Sequence, residues 1–203
     1  MTERAIFLLC GGRSRRLGRD KRLLDVGGKP LLDAVVAQLA ALRLPIFLGL
    51  DSTDDRTGSP PGIGRWWDGA AGRGPLPNLL AALRRWGDEI LLCPADRLLP
   101  DVAALAALLA HAEQAPEADV VVFEIDGRLE PLHGLYRQRV LAPLSEAWGA
   151  GRESLREFLT GLPAGACARL PVDALGIDLN SRPKIASLRQ LAKETVWPSE
   201  ATN

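Results

Sequence analysis

The sequence predicts an α/β protein: an open, mostly parallel sheet with helices packed on both faces. Three observations carry that expectation. Short apolar runs of strand length alternate with helical segments along most of the chain. The first of those runs stops at a pair of glycines, as a buried strand does when it feeds a loop. With 47% apolar and 25% charged residues among 203, the chain can also bury a core, and its length is near that of one domain, for which roughly 100–200 residues is usual. That domain is assigned to residues 1–197, with 198–203 as a tail from Pro198 onward.

The elements follow in order. Residues 4–10 (RAIFLLC) read as the first buried strand, ending at Gly11-Gly12. From Pro30, a residue suited to a helix's first turn, LLDAVVAQLAAL has the apolar spacing of an amphipathic helix, and IFLGL after Pro45 reads as a second strand. A loop rich in Gly, Pro, Ser and Asp leads to Arg65-Trp66-Trp67, a third strand expected to end at Asp68. A helix over 76–86, a buried strand over 89–93 and an alanine/leucine helix over 101–114 continue the alternation. Further strands are expected at 119–125, 132–136 and 167–172, with helices at 138–148, 152–160 and 183–194. Connections of this βαβ kind place neighbouring strands parallel, and ligands of such sheets bind beyond the carboxyl ends of the strands. The loop after Cys10, Asp68 and Asp96 are therefore expected to converge there.

Charge points to the same place. The chain has 25 basic and 25 acidic side chains, yet six of the basic ones, Arg13, Arg15, Arg16, Arg19, Lys21 and Arg22, lie within ten residues. A neutral whole argues against general nucleic-acid or anionic-membrane binding and for a small anionic partner. No apolar run approaches a membrane span, and MTERAIFLLC is too short for a signal peptide. Cys10, Cys93 and Cys167 are odd in number, far apart and without CxxC spacing, which suits neither a disulfide framework nor a zinc site and fits a reducing cytoplasm. Cys10 and Cys93 are expected to be small core residues at the ends of neighbouring strands.

The loop reads Leu9-Cys10-Gly11-Gly12-Arg13-Ser14-Arg15-Arg16-Leu17-Gly18-Arg19-Asp20-Lys21. Glycines let backbone N–H groups approach phosphate oxygens, Ser14 can donate another hydrogen bond, and arginine and lysine neutralise charge. Neither a P-loop nor a GxGxxG motif is present, since Gly28-Lys29 runs into Pro30. Asp96, just past a buried strand, is a candidate carboxylate for magnesium, or alternatively a turn residue before the next helix. Asp68 has the same two readings, as a ligand contact or as a turn residue ahead of Gly69.

LCGGRSRRLGRDKRLL resembles the LAGGxSxRMGxDKxLL signature of the molybdenum cofactor guanylyltransferase family, within the wider group of nucleotidyltransferases. Gly28-Lys29-Pro30-Leu31-Leu32 is similar to its GKPLL, Gly74-Pro75-Leu76 to its GPLAG, and Pro94-Ala95-Asp96 to its PxD. Pro131-Leu132-His133 with Leu135-Tyr136, the Ser154 to Leu159 helix and Leu179-Asn180-Ser181 resemble later family segments. The chain departs from the pattern at Arg97-Leu98-Leu99, where PxDxP is usual, and at Asp178 to Pro183, where N-x-N-T-P is usual. It also departs at Gly49-Leu50-Asp51, where relatives often place asparagines, and at Pro77-Asn78, where Ala-Gly is the rule.

The resemblance implies a Rossmann-like nucleotidyltransferase sheet and transfer of GMP from GTP to the phosphate of molybdopterin-bound molybdenum, with pyrophosphate released. It implies that Arg16 and Lys21, helped by Arg15, hold the triphosphate, while Arg13, Arg19 and Arg22 fall at variable positions and are expected to be solvated. Leu9, Cys10, Gly11, Gly12, Ser14, Lys21, Asp68 and Asp96 would line the nucleotide, and Asp96 would hold magnesium. Asp68 would accept either from guanine or from the ribose. Glycine pairs in place of the cytidylyl relatives' LAAG favour guanine over cytosine. A cytidylyl- or sugar-phosphate nucleotidyltransferase, and a non-catalytic nucleotide-binding protein, are the alternatives. Molybdenum cofactor biosynthesis or acceptor proteins would be transient partners.

Overall fold

In the computed structural model, seven strands form one sheet in the order β5-β4-β1-β6-β8-β7-β9. The structure describes residues 3–10, 21–23, 25–26, 28–51, 63–68, 74–95 and 102–171, with the backbone alone at 21, 51 and 65–68. The strands of this sheet are β1 (Arg4–Leu9), β4 (Ile46–Asp51), β5 (Gly64–Asp68), β6 (Glu89–Pro94), β7 (Val120–Ile125), β8 (Arg128–Arg137) and β9 (Cys167–Pro171). A two-stranded ribbon, β2 (Asp25–Val26) with β3 (Lys29–Pro30), stands apart. The helices are α1 (Leu31–Ala40), α2 (Pro75–Trp86), α3 (Val102–Gln114), α4 (Leu141–Gly149) and α5 (Leu155–Thr160).

The central strands are apolar without alternation because both faces are covered. All six residues of β6 are buried, as are the four inner residues of β1. Ile6, Leu8 and Cys10 point into a core shared with α1 and α3, whereas Ala5 and Phe7 point into a second core shared with α2, α4 and α5. The sheet therefore lies between two helical layers, as the alternation of the sequence predicts.

Direction within the sheet is mostly uniform. β1 pairs parallel with β4 and with β6, β4 pairs parallel with β5, and β7 with β9, while β8 runs antiparallel to both its neighbours. From β1 the chain moves outward through α1 to β4 and on to β5, then returns through α2 to pair β6 on the other side of β1. Right-handed crossovers travelling in opposite directions must lie on opposite faces, which is where α1 and α2 are found. Such a reversal opens a crevice at the carboxyl edge beside β1.

The expected strand at 132–136 is longer than the sequence suggested, because it is one arm of a hairpin. Asp126 and Gly127 both have positive φ, 49° and 70°, the requirement of a tight hairpin turn. Register then slips: Val122 pairs with Gly134 but Phe123 with Glu130, so Pro131, Leu132 and His133 are extra residues in β8. A proline, lacking an N–H, is tolerated at such a bulge. The buried Tyr136 hydroxyl fixes it by donating to the Pro131 carbonyl at 2.7 Å. The helical stretch expected at 152–160 starts at Leu155, where Ser154 caps it by accepting from the Glu157 amide at 3.2 Å. The helix expected at 183–194 and the tail lie outside the described residues.

The amino edge of the sheet is held by buried charge. Glu89 accepts from Arg4 Nε at 2.7 Å and from Arg137 Nε at 2.8 Å. Arg137 also donates to the carbonyls of Ala112 at 2.7 Å, Ala115 at 2.7 Å and Ala118, so one guanidinium closes the carboxyl end of α3 and neutralises Glu89. Removing one partner of such a pair leaves a buried charge uncompensated. Arg137→Met is expected to lower stability by about 3–5 kcal/mol. Denaturant unfolding should show a reduced midpoint with an unchanged slope, and a midpoint equal to the parent's would refute this role.

Candidate active site

Backbone hydrogen bonds bring the carboxyl ends of three strands to one level. Past the end of β1 the Cys10 amide donates to the Gly49 carbonyl of β4 at 3.0 Å, and past the end of β6 the Ala95 amide donates to Leu9 at 3.1 Å. Leu9 is in register with Gly49 on one side and Pro94 on the other, and Asp51 of β4 is in register with Asp68 of β5. Leu9, Cys10, Gly49 to Asp51, Asp68 and Ala95 therefore form one continuous edge.

Of the expected site residues, Leu9, Cys10 and Asp68 lie on this edge. Leu9 ends β1, Cys10 is buried beside it, and Asp68 ends β5 as anticipated. Lys21 opens a short 3-10 turn, Lys21–Leu23. Gly11, Gly12, Ser14, Arg15 and Arg16 lie outside the described residues, as does Asp96, which directly follows Ala95. Arg22, expected to be solvated, is instead buried. Its turn packs against α1, where a long apolar stem can be covered. Among the described residues no group of three or more His, Cys, Asp or Glu side chains is arranged to hold a metal ion, and no helix is long and apolar enough to cross a membrane.

Two features of the edge were not singled out as site elements from the sequence. The first is the entry to α2. Gly74, at φ 87°, caps the helix, and Pro75 and Pro77 occupy its first turn. The second is a close approach over Gly49: a Cβ there would lie 2.6 Å from the Phe7 ring and 3.3 Å from Oδ1 of Asn78 in α2. Only glycine fits, and Asn78 rests directly on β4 near its carboxyl end. An asparagine among the apolar residues of a buried helix face was the available signal. His133, in the β8 bulge, is buried and follows the last β6–β8 pair, Leu92 with Gly134, toward the same end of the sheet.

The thiols are structural. Cys10 and Cys93 are buried in the same core and form no disulfide, with Leu8 in register with Cys93. Burial pushes the Cys93 thiol well above the ordinary 9.0, and burial likewise raises half-buried Cys167. Unfolding would return Cys93 to its ordinary range, so above about pH 9 the unfolded chain binds fewer protons than the native one. Stability supported by this protonated thiol is complete below that pH and declines as pH rises through it. Maleimide at neutral pH should leave Cys93 unmodified in the native protein and modify it after unfolding, as read by peptide mass. Native labelling of Cys93 at the unfolded rate would sink this assignment.

Residues 6–168 match the model of the MobA-like NTP transferase domain. A molybdenum cofactor guanylyltransferase of Ectopseudomonas mendocina is 32% identical over 171 residues, covering 83% of each chain. Among solved structures, molybdopterin-guanine dinucleotide biosynthesis protein A of Archaeoglobus fulgidus superposes with a TM-score of 0.74 at 19% identity, over 94% of this chain and 100% of that one. A CMP:2-keto-3-deoxy-manno-octonic acid synthetase complexed with CTP superposes with a TM-score of 0.70 at 15% identity, over 96% of this chain and 100% of that one. These last two likenesses concern the fold.

Proposed function

Because the chain belongs to the MobA-like NTP transferase family, we propose that it transfers the guanylyl group of GTP to the terminal phosphate of the molybdopterin cofactor. The observation that carries this is the 32% identity, across 83% of both chains, to a molybdenum cofactor guanylyltransferase. A phosphate oxygen of the acceptor forms a bond to the α-phosphorus, the bond from that phosphorus to the β-phosphate bridging oxygen breaks, and pyrophosphate leaves. No covalent enzyme intermediate is needed.

The chain's residues suit such a reaction, which asks for positioning and charge neutralisation rather than a nucleophile. The segment from Gly11 to Lys21 follows β1 in the sequence, and its glycines can admit phosphate oxygens to backbone N–H groups. Arg16 and Lys21, with Arg15, supply positive charge to the triphosphate. Leu9 and Cys10 present backbone beside the nucleotide, Ser14 adds a hydroxyl donor, and Asp68 accepts from guanine or ribose. Asp96 is a hard oxygen donor one residue past Ala95, whose amide is bonded to Leu9, and this chemistry fits a magnesium ion. When bound, the ion would neutralise charge on the phosphates.

The test is pyrophosphate release by the purified protein with magnesium, each nucleoside triphosphate in turn, and molybdopterin, a sugar phosphate or no acceptor. Release is expected with GTP and only when molybdopterin is present. Release with CTP or with a sugar phosphate, or nucleotide binding without release, would overturn the proposal. Asp96→Asn is expected to lower turnover about 100- to 1000-fold at limiting magnesium. Near-parental turnover there would remove Asp96 from the metal site.

A further inference from the structure

Asn78 occupies the fourth position of α2 and is only 6% exposed. Its Nδ2 donates back to the Gly74 carbonyl at 3.2 Å, while its Oδ1 has no hydrogen-bond partner among the described residues. The oxygen rests over Gly49, the residue that accepts from the Cys10 amide and stands in register with Leu9 and Trp66. A buried acceptor without a donor is unfavourable, and an apolar side chain would pack this helix face more cheaply. Its persistence on the carboxyl edge is accounted for if a donor arrives with the ligand.

The chemistry of that ligand follows from what surrounds the oxygen. A triphosphate is an acceptor and would be repelled by Oδ1. The entry of α2 is also poorly suited to phosphate, because Pro75 and Pro77 remove two first-turn N–H groups that would otherwise face an anion. Phosphate is thus served by the glycine and arginine loop, and the α2 side of the crevice is left to the donor-bearing end of the nucleotide. We propose that Asn78 is a specificity-determining residue whose Oδ1 accepts a hydrogen bond from the nucleoside of GTP, either a guanine N–H or a ribose hydroxyl. This rests on the guanylyl-transfer reading above.

The experiment is equilibrium binding to the full chain with magnesium and no acceptor, comparing the parent with Asn78→Leu and Asn78→Gly. Glycine is the residue the related signature carries at this position, so the second variant guards against a failure of the first to fold. Ligands are GTP, ITP (no 2-amino group), ATP (no N1–H), and 2′-deoxy- and 3′-deoxy-GTP. Both variants should bind GTP about tenfold or more weakly. The parent's preference for GTP should collapse toward unity in both variants against ITP and ATP together if the donor is the 2-amino group, against ATP alone if it is N1–H, and against one deoxy analogue alone if it is a ribose hydroxyl. A residue serving packing alone would lower the melting temperature and leave every ratio unchanged. Folded variants that bind GTP within twofold of the parent, with unchanged ratios, overturn the proposal while leaving guanylyl transfer intact. A parent protein that binds another triphosphate but not GTP overturns the guanylyl reading and this inference with it.

Discussion

The parallel pairing of β1 with β4 and β6 is the constraint on which the rest of the molecule depends. Because β1 is covered on both faces, its backbone groups must be bonded to strands at either side, and the cost of leaving them unpaired fixes its neighbours. The last of those bonds, from Cys10 to Gly49 and from Ala95 to Leu9, lie where the chain turns out of the sheet. The carboxyl ends of β1, β4, β5 and β6 and the entry of α2 are thereby delivered to one edge by main-chain geometry. Side chains there are free to differ in chemistry without altering how they are brought together.

Stability and chemistry are divided between the two ends of the sheet. At the amino edge Arg4, Glu89 and Arg137 satisfy one another and the end of α3. At the carboxyl edge the structure instead tolerates a buried acceptor without a partner among the described residues, a glycine forced by close approach and a bulged strand. Local violations of good packing commonly mark places where a protein is built for something other than its own stability. Two departures of this chain from the related signature, at Pro77-Asn78 and at Gly49 to Asp51, lie at this second edge.

Much of this was legible in the sequence. Short continuous apolar runs such as EILLC, bounded by turn residues, read as strands covered on both sides, and the βαβ order then implies parallel neighbours, so the layers and the end of β5 at Asp68 followed. The long signature around the glycine pair identified the family. What could not be read was set by tertiary context. Alternation carries no information on strand direction, so the reversed run of β8 was hidden, and Pro131 and Glu130 masked its true length. The Asp126-Gly127 turn was the overlooked cue. Asn78 was visible as a polar residue on an apolar helix face and as a departure from small residues, but not as a site, because its buried oxygen is defined only once α2 is laid on β4.

The arginine tie at the amino edge carries a consequence for how the chain is made. It joins residues 4, 89, 112 and 137, which belong to β1, β6, α3 and β8. During synthesis from the amino terminus, β1, β4 and β6 can pair before Arg137 has left the ribosome, yet Glu89 then sits beside Arg4 with its second neutralising charge still missing. The nascent sheet therefore cannot settle its central carboxylate, or close the end of α3, until Arg137 has emerged. A domain assembled in this way commits late, and its carboxyl edge is laid down on a scaffold still waiting for its final lock.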